Sequence, residues 1–135
     1  MRLLVLDSEA ISALAHGRSP RRDRVDALIK CRRYTVATVA AVLAEVIRGR
    51  AADAAVHRAL KSYGIAVFDV TARVAERAGA LLGAVRSGSE LAIDAFVVAA
   101  ADVAGGGVIA TVDTDDLARL AAHARSLVHI VSIQP

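Results

Sequence analysis

Apolar and polar positions follow two rhythms along this chain. Some stretches are short, solid apolar runs. In others, apolar residues recur every three or four positions. The first kind reads as buried strand and the second as amphipathic helix. Arg2–Leu6 is a solid run that stops at Asp7, and residues 34–37, 65–68, 108–112 and 127–131 repeat the type. Helical stretches lie between them. Ser8–Ala15 is closed by Gly17, and a second helix opens at Ser19-Pro20 with Val25, Leu28 and Ile29 at helical spacing. Residues 38–48 carry Val39, Val42, Leu43 and Val46 on one stripe and end near Gly49. Residues 51–63 follow, ended by Gly64, and Thr71 is placed to cap a long helix that runs to Arg86. Ser87-Gly88-Ser89-Glu90 has capping-box spacing at the head of a helix over 91–103, and residues 114–122 form the last. Gly105-Gly106-Gly107 reads as a turn. Strands separated by helices predict an α/β fold whose sheet of four to five strands is mainly parallel and covered on both faces.

A length of 135 residues suits one domain, 1–135. Aromatic residues make up only 3% and Trp is missing, so the core must be built from Ala, Val, Leu and Ile. No apolar run approaches the roughly 18–20 residues a membrane span needs, and the short first run, followed by acids, makes a poor leader peptide. Cys31 is the single cysteine, expected to be a small buried or half-buried residue. Together these features predict a cytoplasmic protein with no membrane association.

Charge adds a second pattern. Residues 1–63 carry 12 Lys or Arg against 6 Asp or Glu, whereas residues 64–135 carry 5 against 8. A basic first half suits a polyanionic partner. Arg21, Arg22 and Arg24 sit near the start of a helix, where they oppose its dipole, so a functional use for them gains weight.

Four acids interrupt apolar surroundings. Asp7 ends the first strand, and Glu45 lies in Val42-Leu43-Ala44-Glu45-Val46-Ile47. Asp94 lies in Ala92-Ile93-Asp94-Ala95-Phe96-Val97, and Asp113 ends the fourth strand. In a parallel α/β sheet, ligands gather beyond the C-terminal strand ends. Asp7 and Asp113 occupy such ends, and Glu45 and Asp94 are placed to line the same pocket from helices. Clustered carboxylates favour a hard divalent cation, which polarises a phosphate and acidifies a bound water. Each acid also has a plainer reading. Asp7 and Asp113 are placed to cap the helices that follow them. Glu45 is placed to pair with Arg48, and Asp94 to face solvent on a helix flank.

These runs resemble PIN domains of the VapC toxin family. An acid ends the first strand in Val5-Leu6-Asp7-Ser8-Glu9-Ala10-Ile11, and another lies in Leu43-Ala44-Glu45-Val46-Ile47-Arg48-Gly49. A third opens Asp94-Ala95-Phe96-Val97-Val98-Ala99-Ala100-Ala101, and a fourth follows a strand in Ala110-Thr111-Val112-Asp113-Thr114-Asp115-Asp116-Leu117. The resemblance spans essentially the whole chain. It implies a three-layer α/β/α sandwich, a Mg²⁺ or Mn²⁺ site on Asp7, Glu45, Asp94 and Asp113, and endoribonuclease activity on RNA. Asp115 and Asp116 compete with Asp113 for the fourth place. Ser8 and Thr111 match hydroxyl positions beside the family's site. Glu9 departs from the pattern and reads as solvent-facing.

The resemblance also implies a small VapB-type antitoxin as partner, and a homodimer. The antitoxin's tail is expected to send an Arg into the acidic pocket and acidic residues toward 18–24. Its apolar anchors are expected around Ile11, Leu14, Val25 and Leu28. Arg18, Arg21, Arg22 and Arg24 are candidates for steering RNA. Two other readings compete: an inactive PIN-like module that binds RNA or protein, and a haloacid-dehalogenase-type phosphatase. The phosphatase wants an Asp two residues after Asp7, where this chain has Glu9.

Overall fold

The computed structural model describes residues 2–135. Five strands form one sheet, β1 (Arg2–Leu6), β2 (Tyr34–Val39), β3 (Ala66–Phe68), β4 (Gly107–Thr111) and β5 (Val128–Ser132). Their order is β3-β2-β1-β4-β5, and all four pairings are parallel. The helices are α1 (Ser8–Ala15), α2 (Pro20–Lys30), α3 (Ala40–Val46), α4 (Asp53–Ser62), α5 (Ala72–Ala84), α6 (Ala92–Val103) and α7 (Thr114–Ala121). α1 packs against α2, α3 and α4, while α6 packs against α5 and α7. Right-handed crossovers put the two groups on opposite faces of the sheet, giving the three layers expected.

The central strands explain their own apolar runs. Leu4, Val5 and Leu6 of β1 are fully buried, as is every residue of β4. α6 lies against the sheet through small side chains, Ala95, Ala99 and Ala101 among them. That close approach replaces the aromatic filling this composition lacks. The glycine turn is tighter than a plain loop. A Cβ on Gly107 would stand 2.7 Å from the Leu3 carbonyl, and Gly106 has φ +107° with the Leu127 carbonyl 2.6 Å from where its Cβ would be. Neither position accepts a side chain.

Several boundaries differ from expectation. Thr38 and Val39 belong to β2 rather than to α3, because they pair with Val67 and Phe68 of β3. α3 stops at Val46, and the Asp53 carboxylate takes over the turn after it by accepting from the Arg48, Gly49 and Arg50 N–H groups. The Ser87–Glu90 box does not cap α6. The Ser87 hydroxyl donates to Glu90 instead, and a short 3-10 turn, Ser89–Leu91, precedes the helix. Cys31 is exposed rather than buried. Ile11 and Val25 are 0% exposed and Leu14 is 3%, so these three fill the core and offer nothing to a partner; of that set only Leu28 is partly open.

The end of α6 holds a buried polar hub that the sequence did not announce. Asp102 accepts from Arg77 Nε at 2.7 Å, from Ser126 N at 2.7 Å and from Arg125 N at 3.1 Å. Burial raises its pKa, but the Arg77 guanidinium and the two backbone N–H groups outweigh that and hold it below the ordinary value. The hub ties α5 and α6 to the loop before β5. Asp102→Ala strands the Arg125 and Ser126 N–H groups. It is expected to lower unfolding stability by about 2 kcal/mol in urea titration, because Arg77 keeps a second bond to the His123 carbonyl. A midpoint shift equivalent to less than about 0.5 kcal/mol would mean that the hub is a surface contact.

Candidate active site

The chain runs outward from β1 through β2 to β3, then crosses back to β4 and β5 on the other side. Strand order therefore reverses between β1 and β4, and a crevice opens beyond the C-terminal ends of those two strands. Asp7 follows β1 and Asp113 lies just beyond β4. α6 begins at the same end and brings Asp94 in its first turn, where the helix dipole favours a carboxylate. Glu45 comes from the last turn of α3.

Asp7 is 6% exposed. It caps α1, with Oδ1 accepting from Ala10 N at 2.9 Å. Its backbone is pinned from both neighbouring strands. Asp7 N–H donates to the Ala110 carbonyl at 3.4 Å, and the buried Thr38 hydroxyl donates at 2.7 Å to the carbonyl of Leu6. The β1–β2 pairing ends at Val5 and Ala37, so Thr38 continues the tie with its side chain. The Thr111 hydroxyl has one proton and two claimants, the Asp113 carbonyl at 3.2 Å and the Asp7 carboxylate. Burial pushes the Asp7 pKa up from 3.8 to about 6. Thr111 and the Ala10 N–H oppose that rise, while Glu9 and Asp94 add to it.

Asp94 is half-buried, and its pKa is likewise raised from 3.8 to about 6. Burial is the first cause, followed by the negative charges of Asp116, Glu45, Asp113 and Glu9, in that order. Acids from α1, α3, α7 and the loop before α7 thus act on one carboxyl of α6. Glu45 and Asp113 are exposed, and Asp113 Oδ1 caps α7 by accepting from Asp115 N at 3.2 Å. The expected Glu45–Arg48 pair is not formed, because the Arg48 guanidinium turns back to the Ala44 and Ile47 carbonyls. Among the described residues, ion pairs join Lys30 to Asp26, Arg77 to Asp102 and Arg119 to Asp116. Asp7, Glu45, Asp94 and Asp113 are in none of them.

The arrangement is an acidic crevice without internal neutralisation. Its donors are hard oxygens, the ligand type that Mg²⁺ and Mn²⁺ take. The carboxylates share a field rather than a cage: among the described residues, no three His, Cys, Asp or Glu side chains stand close enough to hold an ion as placed. The pattern of the sequence places Glu9 toward solvent. It is exposed, yet its charge reaches both Asp7 and Asp94. Of the competitors for the fourth place, Asp116 acts on Asp94 more strongly than Asp113 does, but it is shared with Arg119 at 3.4 Å. Thr38 was missed, although a hydroxyl between Ala37 and Val39 in an apolar run was a visible signal.

The molecule is therefore a three-layer, all-parallel α/β protein with an acidic crevice at its topological switch point. Residues 4–123 match the family model of the PIN domain. The chain belongs to the PIN-domain family. Among solved structures, it is similar to a toxin–antitoxin complex from Klebsiella pneumoniae at 17% identity and a TM-score of 0.69, covering 97% of this chain and 98% of the other. It is also similar to VapBC2 from Rickettsia felis bound to a promoter DNA fragment, at 16% identity and a TM-score of 0.61 over 96% and 98%. VapBC from Salmonella typhimurium bound to DNA aligns at 14% identity and a TM-score of 0.62 over 99% and 100%. These likenesses establish a shared fold. No curated protein matches the sequence. Among the described residues, no helix is long and apolar enough to cross a membrane.

Proposed function

We propose that this protein is a divalent-metal-dependent endoribonuclease, acting as the toxin of a toxin–antitoxin pair. One observation carries the reading: Asp94 lies in the field of Asp116, Glu45, Asp113 and Glu9, beside buried Asp7, at the switch point of the sheet. Uncompensated carboxylates at such a point are suited to a cation, and through it to a phosphodiester.

Asp7 and Asp94 would hold Mg²⁺ or Mn²⁺, with Glu45 and Asp113 completing the acidic set. When bound, the ion supplies charge for the scissile phosphate and lowers the pKa of water. The chain's own residues do the rest. The Ala10 N–H and Thr111 fix the Asp7 carboxyl, and Thr38 fixes the backbone just before it. Asp94 is oriented by the first turn of α6. Glu45 and Asp113 are exposed, within reach of a long polymer that could not enter a closed cavity.

A ribonuclease of this kind needs restraint inside the cell that makes it. The shared fold with toxin–antitoxin complexes supports a VapB-type antitoxin as partner, and the homodimer that the family resemblance implies belongs to the same reading. The purified chain is expected to cut RNA in Mg²⁺ or Mn²⁺ and to stop in EDTA. Expressed alone it is expected to arrest growth, and co-expression of its upstream neighbour is expected to relieve the arrest. Intact RNA across a broad transcript pool, together with unimpaired growth, would remove the nuclease-toxin reading while leaving the family assignment untouched.

A further inference from the structure

We infer that the groove between α1, the start of α2 and the end of α3 is the seat for RNA phosphates flanking the cleavage point, with Arg21 and Arg48 as the two grips. This assignment rests on the nuclease reading of the neighbouring crevice. The groove is lined by the hydroxyls of Ser8, Ser12 and Ser19 and by the side chains of Arg21 and Arg48. Glu9 and Glu45 line it too, and Ser8, which lines it, directly follows Asp7, so the groove lies beside the acidic crevice.

Both guanidiniums are exposed and held in place without being neutralised. Arg21 Nε donates to Gln134 Oε1 at 3.0 Å. Arg48 is fixed at both ends. Its backbone N–H donates to Asp53 Oδ1 at 3.0 Å, and its guanidinium donates to the Ala44 and Ile47 carbonyls that end α3. Among the described residues neither pairs with a carboxylate, although Glu9 and Glu45 line the same groove. Each Arg keeps further N–H donors for a ligand. Side chains already held lose little freedom on binding, and the planar fork matches a phosphate.

The lining also separates phosphate from an acidic peptide. A docked peptide draws affinity from buried apolar anchors, and the lining here has just two apolar side chains, Ala13 and Val46. Hydroxyls and guanidiniums suit a polyanion that carries its charge on every unit. A strand seated here places its flanking phosphates on cations and its scissile phosphate toward Asp7 and Asp94.

The test is anisotropy of a labelled 12-nucleotide single-stranded RNA in EDTA, where cleavage is off, over a salt series. Arg21→Gln and Arg48→Gln are compared with Arg58→Gln, which removes the same charge from α4 outside the groove. Each groove variant is expected to weaken binding by about five- to tenfold and to flatten the log–log salt slope by about 0.7. Arg58→Gln is expected to leave the slope unchanged. Equal effects of all three variants, or no wild-type binding at low salt, would overturn the assignment. So would stronger competition by an oligoglutamate peptide than by unlabelled RNA, which would give the groove to an acidic protein segment. If RNA binds through Arg21 and Arg48 but is never cut in Mg²⁺ or Mn²⁺, the nuclease reading fails and the groove assignment stands.

Discussion

Asp94→Asn is expected to lower metal-dependent RNA cleavage by about 10³-fold or more and to abolish the response of the fold to Mg²⁺, without unfolding the protein. Losing a cation that stabilises charge on a phosphoryl oxygen forfeits several kcal/mol of transition-state energy, and each 1.4 kcal/mol is about tenfold in rate. Asp94 is the residue on which the other acids converge, since Asp116, Glu45, Asp113 and Glu9 all raise its pKa. Asn keeps the shape and removes the charge that holds the ion. Glu76→Gln is the control, because Glu76 is exposed on α5 and is none of the acids that act on Asp94. Single-turnover cleavage and thermal melts with and without Mg²⁺ read the two consequences separately. Cleavage within about tenfold of wild type, with the Mg²⁺-induced melting shift intact, would show that the metal sits elsewhere.

How far the sequence reached is clearest at Asp7 and Thr38. Asp7 was legible twice, as the polar stop of an apolar strand and as a helix cap, and the structure uses it as the cap at the mouth of the crevice. The parallel sheet was legible because β1 and β4 are buried on both faces and therefore read as solid apolar runs. Thr38 and Val39 were assigned to the helix because Val39 continues the stripe through Val42 and Val46. Only pairing with β3, about thirty residues on, decides that they extend. No local pattern carries that information.

Glu45 was placed correctly in its helix, yet its expected partner was wrong. Spacing allows Glu45 to meet Arg48, but α3 ends before another turn forms and Arg48 bonds to the open carbonyls. Ile11, Leu14 and Val25 were offered to a partner because helical periodicity marks an apolar face without saying what covers it. Here α1 lies beneath α2, α3 and α4, and the face is spent inside the molecule. Asp102 stayed hidden for a related reason. Its partners Arg77, Arg125 and Ser126 lie more than twenty residues away on either side.

The same charges that suit the crevice to a metal should weaken the metal-free fold, and Asp7→Asn should expose that cost. Asp7 is 6% exposed and its folded pKa is about 6 against an ordinary 3.8. A raised carboxyl pKa means that the folded state holds the proton more tightly than the unfolded state, so stability falls as pH rises. The penalty is absent below the unfolded pKa, grows between about 4 and 6, and is complete above about 6. At pH 8 without metal, Asp7→Asn is expected to gain on the order of 3 kcal/mol in urea unfolding, shrinking below about 1 kcal/mol at pH 4. Asn still accepts the Ala10 N–H, so the cap survives the substitution. Adding Mg²⁺ at pH 8 should raise wild-type stability by about 1–3 kcal/mol and leave Asp7→Asn unmoved, closing most of the gap. Below about pH 5 protons occupy the carboxyls, so the metal effect should fade with the penalty it offsets. A variant less stable than wild type at pH 8 in EDTA would mean that the buried Asp7 charge is already compensated, and the argument for a cation there would lose its energetic basis.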